Sequence, residues 1–216
     1  MLILLGSAIL QIMFDNEKIK IIKKWLGAGS IDIFGRPFSG KDYQGRQLAD
    51  IFNGITIGSG DILRSSRAEK QTRTGYLTPT EDFIDIVLPY FKQNCLHDKP
   101  LLLSSVGRWH GEEGAVAQAL DESGHPLTAV IYLDLSNDES RSRWLARETN
   151  NDRVGRHDDT LEVLKTRFTE FNEKTIPVIE HYRNIGKLVE IDGKQSREKV
   201  TSDIIEALFE RAKTAN

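Results

Sequence analysis

A chain of 216 residues, 39% hydrophobic and 28% charged, carries enough apolar material for one sizeable core and has the make-up of an ordinary globular protein. Its 29 basic and 32 acidic side chains leave a net charge of −3, which argues against a protein that holds nucleic acid or a membrane surface by bulk charge. A single cysteine, Cys95, excludes an internal disulfide and fits a reducing, cytoplasmic setting, and the five histidines are not spaced with cysteines or carboxylates as metal ligands are.

Met1 to Phe14 is largely apolar but shorter than the roughly 20 residues a membrane-spanning helix needs, and it lacks a basic leader. It reads as an element packed on the domain or, preferably, as residues ahead of a true start at Met13. Residues 1–30 are taken as an N-terminal extension and 31–216 as the main domain. Within the extension, Asn16 to Leu26 has the period of a basic amphipathic helix, with Ile19, Ile22 and Leu26 on one face and its lysines in solvent. Beyond it, short apolar runs alternate with helical periodicity. Strands are expected at Ile31–Phe34, Ile55–Ile57, Leu101–Leu103, Ala129–Leu133 and Lys187–Ile191. Helices are expected over Lys41–Phe52, Gly60–Ser65, Thr80–Phe91, Glu112–Leu120, Asp138–Arg147, Asp158–Arg183 and Arg197–Lys213. Thr80 and Asp82 suit a helix start, Asn137 or Asp138 a cap, and Pro177 should break or kink the long pattern around it. This order predicts a three-layer α/β fold, a five-stranded parallel sheet with helices on both faces. Two polar stretches, Arg67–Pro79 and Glu148–His157, fit that core poorly and read as parts of flaps over a site.

The apolar run Ile31-Asp32-Ile33-Phe34 empties into Gly35-Arg36-Pro37-Phe38-Ser39-Gly40-Lys41, and a helical pattern follows at once. Strand, glycine loop, lysine and helix together make a phosphate site: backbone N–H groups curl around phosphate oxygens, the helix aims its positive end at them, and lysine reaches the outer phosphates. Arginines then recur at strand ends and in the polar stretches. Ser59-Gly60-Asp61-Ile62-Leu63-Arg64 follows the second strand, Gly75-Tyr76-Leu77-Thr78-Pro79 precedes a helix, and Val106-Gly107-Arg108 follows the third strand. Arg143 and Arg147 share a helix face, and Arg156-His157-Asp158-Asp159 is followed by Arg167. Phosphoryl transfer needs reactants held in line and moving charge neutralised, tasks suited to planar, permanently charged guanidinium groups. Arg141, Arg153 and Arg183 read instead as surface residues paired with nearby carboxylates.

In order and spacing these motifs resemble the adenylate kinase family of nucleoside monophosphate kinases, in its short-lid form. That family carries G-x-P-G-x-G-K-G-T-Q, S-T-G-D-x-L-R, G-x-L-V-P, D-G-F-P-R-x-x-x-Q, R-x-x-x-R and R-x-D-D followed by another arginine. The counterparts here are Gly35–Gln44, Gly58–Arg64, Gly75–Pro79, Ser104–Arg108 with Glu112, Arg143 with Arg147, and Arg156 to Arg167. The resemblance implies a P-loop NTPase-type fold with a monophosphate-binding flap at about 59–92 and a lid at about 148–157. It implies transfer of the terminal phosphate of ATP to a nucleoside monophosphate, AMP first, with UMP, CMP or a catalytically weak nucleotide-binding protein as alternatives. Gly35, Pro37, Ser39, Gly40, Lys41, Asp42, Tyr43, Arg143 and Arg147 would hold ATP. Ser59, Gly60, Arg64, Gly75, Thr78, Arg108 and Glu112 would hold the monophosphate. Lys41, Arg108, Arg147, Arg156 and Arg167 would stabilise the phosphate in transfer, with Asp158 and Asp159 orienting the lid arginines. Mg²⁺ would arrive with ATP, held largely through water, and a monomer is expected.

Several positions depart from the pattern. Tyr43 stands where the family has a phosphate-holding threonine, and Asp42 replaces a glycine, setting a negative charge beside phosphates. Ser104 replaces the aspartate that orders water around magnesium, and Phe38 and Ser105 occupy glycine or small positions. Glu112 replaces a glutamine that reads adenine. An ionised carboxylate accepts but cannot donate, so the acceptor base is less certain than the reaction. Read without the resemblance, Glu112 is equally a solvated glutamate at a helix start.

Overall fold

The computed structural model describes residues 15–93, 96, 98–146 and 160–215. The expectations for Met1–Phe14, Cys95, Arg147, Arg153, Arg156, Asp158, Asp159 and the lid at 148–157 lie outside these residues.

Among the described residues, five strands form one sheet: β1 (Ser30–Gly35), β2 (Ile55–Gly58), β3 (Leu101–Ser104), β4 (Leu127–Asp134) and β5 (Leu188–Asp192). Their order is β2-β3-β1-β4-β5, and every pairing is parallel. Alternation along the strands divides the core. Ile31, Ile33, Leu102, Ile131 and Leu133 meet α1 (Asn16–Leu26), α2 (Lys41–Phe52) and α10 (Arg197–Thr214) through Ile22, Leu48, Phe52, Ile204 and Leu208. Phe34, Leu101, Leu103, Val130 and Tyr132 face the other way, onto α5 (Thr80–Val87), α6 (Glu113–Glu122) and α9 (Ile176–Asn184). Each such side chain contributes roughly 1.5–3 kcal/mol on full burial. A one-residue slip would turn each set to the wrong layer, so the apolar pattern fixes the register. The result is the expected three-layer α/β fold.

α1 opens at Asp15, whose carboxylate accepts the Glu17 N–H, and closes at Gly27 with φ 54°. It buries Ile22 and Leu26, while Lys18 pairs with Glu206 and Lys20 with Glu17.

Several boundaries differ from the sequence expectation. The helix expected over Thr80–Phe91 changes to a 3₁₀ turn at Leu88–Lys92, where Pro89 removes a backbone donor. Thr80 begins α5 as expected, with Asp82 in its first turn; the cap position before it is Pro79, and the Thr80 hydroxyl donates to Glu112 Oε1 at 3.0 Å. The cap of α7 (Asn137–Leu145) is Ser136, which accepts the Glu139 N–H; Asn137 is instead taken by Arg36. The stretch 67–79 contains a short helix, α4 (Glu69–Arg73), and follows α3 (Ser59–Arg64). Pro177 breaks nothing outright. After α8 (Leu161–Glu170) the chain widens into a π turn at Phe171–Thr175, and the Ile176 N–H reaches back to the Phe171 carbonyl. That extra residue per turn accommodates the proline at the start of α9.

The register sets Ile33 beside Ser104 and Ser104 beside Gly58. The carboxyl ends of β1, β2 and β3 are therefore level, and the loops leaving them meet at one place.

Candidate active site

The loop after β1 is shaped by close approach. A Cβ on Gly35 would collide with Ser39 Oγ and lie 3.2 Å from the Leu133 carbonyl oxygen. Phe38 (φ 62°) and Gly40 (φ 92°) both take the left-handed conformation that turns the chain into α2. α7 pins the loop from outside. Ser140 Oγ donates to the Pro37 carbonyl, and Arg143 Nη2 donates at 2.7 Å to the carbonyl of Gly193, beside the loop. Arg36 turns back into the fold. It bonds Asn137 Oδ1, Tyr132 Oη and Asn172 Oδ1 at 2.8, 3.0 and 2.8 Å, over the Phe171 ring.

A cleft of about 750 Å³ opens above this loop. Gly35, Pro37, Ser39, Gly40, Lys41, Asp42, Tyr43 and Arg143 line it together with Ser59, Gly60, Arg64, Gly75, Thr78, Arg108 and Arg167. Glu112 sits in a small adjoining recess with Ser59, Thr78 and Arg108. Ser39 Oγ and Thr78 Oγ1, both on lining residues, are buried with no hydrogen-bond partner among the described residues. Buried hydroxyls of that kind are costly unless a ligand answers them.

The turn after β3 carries Arg108. Ser105 (φ 51°) and Gly107 (φ 71°) bend it, and Asp32, in the middle of β1, holds it from below. The buried Asp32 carboxylate accepts the Val106 N–H at 3.0 and 3.3 Å. Burial pushes the Asp32 carboxyl up to about 8, against the opposing pull of the backbone N–H groups of Val106, Ile33 and Ser105 and of Arg108. Ser59 Oγ ties α3 to the same turn through the Ser105 carbonyl at 2.8 Å, and Thr175 Oγ1 bonds the Arg108 carbonyl at 3.2 Å. Burial, with Arg167 and Arg64 nearby, pulls the Arg108 guanidinium down to about 10, while Glu112 and Asp42 oppose this. Like charges held together in this way form a site prepared for an anion. Arg64 is meanwhile paired with Asp61.

The departures from the family's pattern also have definite surroundings. Ser104 Oγ donates to Asp42 Oδ1 at 2.6 Å. The Tyr43 ring lies 4.9 Å from the Arg197 guanidinium carbon. Glu112 is not the solvated residue its charge alone allows. It is buried, accepts from Thr80 Oγ1 at 3.0 Å and from the Trp109 N–H at 3.1 Å, and burial raises its pKa.

Some residues here were not expected from the sequence. Asp32 had a visible signal, an acid inside an apolar strand. Glu170 is buried on α8, accepts the Leu77 N–H at 2.9 Å and pairs with Lys174 at 2.8 Å, tying the flap to α8. Gln195, Ser196 and Arg197 line the cleft from the turn after β5, and Arg46 from α2. Their signal was position: loops at the carboxyl ends of parallel strands gather around ligands. Arg183, read as a surface residue, pairs with Glu180 and with Glu190 at 2.6 Å.

No family model matches the chain. It is 31% identical over 188 residues to an adenylate kinase of Azobacteroides pseudotrichonymphae, an alignment covering 83% of this chain and 96% of that protein. The chain belongs to the adenylate kinase family. An adenylate kinase of Phocaeicola vulgatus is 29% identical over 191 residues, covering 83% and 97% of the two chains. A UMP-CMP kinase of Lentinula edodes is 28% identical over 186 residues, covering 79% and 81%. This kinase is thus an enzyme of the nucleoside monophosphate kinase class, whose chemistry is phosphoryl transfer. Among the described residues no helix is long and apolar enough to cross a membrane.

Proposed function

We propose that this kinase transfers the terminal phosphate of ATP to AMP, yielding two ADP, in the cleft between the phosphate loop and the α3–α5 flap. The observation that carries the reading is that Lys41, Arg64, Arg108 and Arg167, from four separate parts of the chain, line one cleft. Lys41 and the backbone N–H groups of the loop hold the triphosphate. Arg64 and Arg108 grip the monophosphate, with Ser59, Gly60, Gly75 and Thr78 forming its pocket. An oxygen of the acceptor phosphate attacks the terminal phosphorus of ATP in line as the bond to the ADP oxygen breaks. Arg167, joined by Arg147 just before a lid at about 148–157 and by Arg156 within it, neutralises charge on the moving group. Asp158 and Asp159 orient those lid arginines. Closure excludes the water that would otherwise take the phosphate. The hard oxygens of Asp42 and Ser104, side by side in the cleft, fit Mg²⁺ accompanying ATP. When bound, that ion would neutralise phosphate charge. A cytoplasmic monomer belongs to the same reading, with residues 1–30 as an N-terminal extension whose helix α1 packs on the domain's core through Ile22 and Leu26.

A second acceptor is supported by Glu112. An acid bonded to Thr80 and the Trp109 N–H, with its pKa raised by burial, need not read adenine as an amide would. A panel of AMP, UMP, CMP and dAMP in a coupled ADP-release assay with Mg²⁺ separates the readings. AMP is expected to give the highest kcat/KM. Preference for a pyrimidine would transfer the assignment to that base, and no transfer to any acceptor would leave a nucleotide-binding protein. Lys41→Ala and Arg108→Ala should each lower kcat/KM about a hundred- to a thousandfold, with cooperative melting retained.

A further inference from the structure

Two positions that depart from the family's pattern touch each other. Asp42 follows Lys41 in the first turn of α2, and Ser104 ends β3, 62 positions away. Ser104 Oγ donates to Asp42 Oδ1 at 2.6 Å, and both residues line the cleft. An acid placed there faces the phosphates that Lys41 serves. Two unit charges about 4 Å apart repel by roughly 4 kcal/mol at an effective dielectric of 20, enough to oppose nucleotide binding unless a cation lies between them.

The position itself points to that cation. In phosphate loops of the form Gly-x-x-x-x-Gly-Lys-Ser/Thr, the residue after lysine turns its hydroxyl to Mg²⁺. The family's pattern has glycine in that slot, so Asp42 adds a charged oxygen donor beside the phosphates where the family has none. Mg²⁺ is commonly held by one or two carboxylates together with substrate phosphates, not by an all-protein cage, so a single acid is a sufficient protein contribution. Among the described residues no group of three or more histidines, cysteines and acids offers a rival site. A carboxylate has about four acceptor positions, of which the Ser104 bond takes one and fixes the group's orientation.

We propose that Asp42, oriented by Ser104, is the residue through which this kinase holds the Mg²⁺ of its nucleotide, directly or through water. The acid that the family places at the end of β3 is supplied here from the start of α2, across one hydrogen bond. The two changes are then one compensated exchange, and nucleotide binding becomes strongly dependent on metal.

The inference rests on the proposed ATP chemistry, and binding measurements separate the two. Calorimetric titration of a non-hydrolysable ATP analogue, with and without Mn²⁺, and Mn²⁺ electron paramagnetic resonance are applied to wild type, Asp42→Asn, Ser104→Ala and the exchanged pair Asp42→Gly with Ser104→Asp. Asp42→Asn is expected to weaken Mn²⁺ in the ternary complex about tenfold or more and to tighten metal-free analogue binding. Ser104→Ala should weaken Mn²⁺ less, and the exchanged pair should recover it. If Asp42→Asn holds Mn²⁺ as wild type does and binds the metal-free analogue no better, the inference fails while the kinase reading stands. If wild type binds the analogue under neither condition, both fail. Melting curves verify that each variant is folded.

Discussion

The turns leaving β1 and β3 both deliver a cation to the same cleft, but they are held in different ways. The phosphate loop is shaped by its own backbone, through Phe38 and Gly40 in left-handed conformation and a Gly35 that leaves no room for a side chain, and it ends in Lys41. The turn after β3 also bends through left-handed residues, Ser105 and Gly107, yet its anchor is foreign to it. Asp32 reaches from β1, 74 positions away, to take the Val106 N–H. One cation is placed chiefly by local conformation, with Ser140 of α7 bonded to the Pro37 carbonyl from outside, the other by a buried acid borrowed from a neighbouring strand. The second arrangement is more exposed to a single substitution and to pH.

The largest expected contrast comes from removing that anchor. Asp32→Leu leaves the Val106 N–H buried without its acceptor, a cost of about 1–3 kcal/mol. If all of this fell on monophosphate binding, KM would rise roughly ten- to a hundredfold, because each 1.4 kcal/mol is about tenfold. KM for the monophosphate should rise more than kcat falls, and KM for ATP should change little. Asp32→Asn keeps an accepting oxygen and should stay closer to wild type. Equal effects of the two variants in steady-state kinetics would show that charge, not the hydrogen bond, holds the turn.

A second contrast lies in pH. The ordinary Asp32 value of 3.8 rises to about 8 on folding, so the folded state favours the protonated form. Its contribution to stability is therefore full below about pH 4, is lost progressively as pH rises, and levels off above about pH 8. Glu112 shifts in the same direction, so wild type alone would mix the two groups. Urea unfolding of wild type and Asp32→Asn between pH 5 and pH 8 isolates Asp32. The difference should move against wild type as pH increases, and a constant difference would remove Asp32 from the account.

The smallest effect tests the phosphate loop. Phe38 and Ser105 each hold a positive φ without being glycine, a strain of order 1–3 kcal/mol apiece. Part of the gain on substitution is offset by the greater freedom of glycine in the unfolded chain. Phe38→Gly and Ser105→Gly should each stabilise by about 1 kcal/mol or less in thermal melts. Destabilisation by Phe38→Gly would mean that the ring contributes packing exceeding its strain.

Much of the fold was legible along the chain. The alternation of apolar runs and helical periods gave five strands and their helices, because each pattern reports a local backbone period. The ordered motifs placed Lys41, Arg64, Arg108 and Arg143 on the loops and helices that follow strand ends, where the cleft lies. Caps were less legible. Ser136 and Asn137 are both competent in isolation; Ser136 caps α7, while the Asn137 side chain accepts from Arg36, a partner 101 positions away. Pro177 was recognised as a disturbance, but not the π turn that absorbs it.

Sequence by itself determined that this chain folds as a parallel α/β sheet around a glycine loop and belongs with the kinases that resemble it, since strand and helix periods and ordered motifs are properties of neighbouring residues. Tertiary structure alone decided that Ser104 would meet Asp42, that Asp32 would hold the Arg108 turn, and that Glu112 would be buried instead of solvated. Those outcomes depend on distances between residues far apart in the chain, and they appear only when parallel strands bring their ends level and exclude water between them.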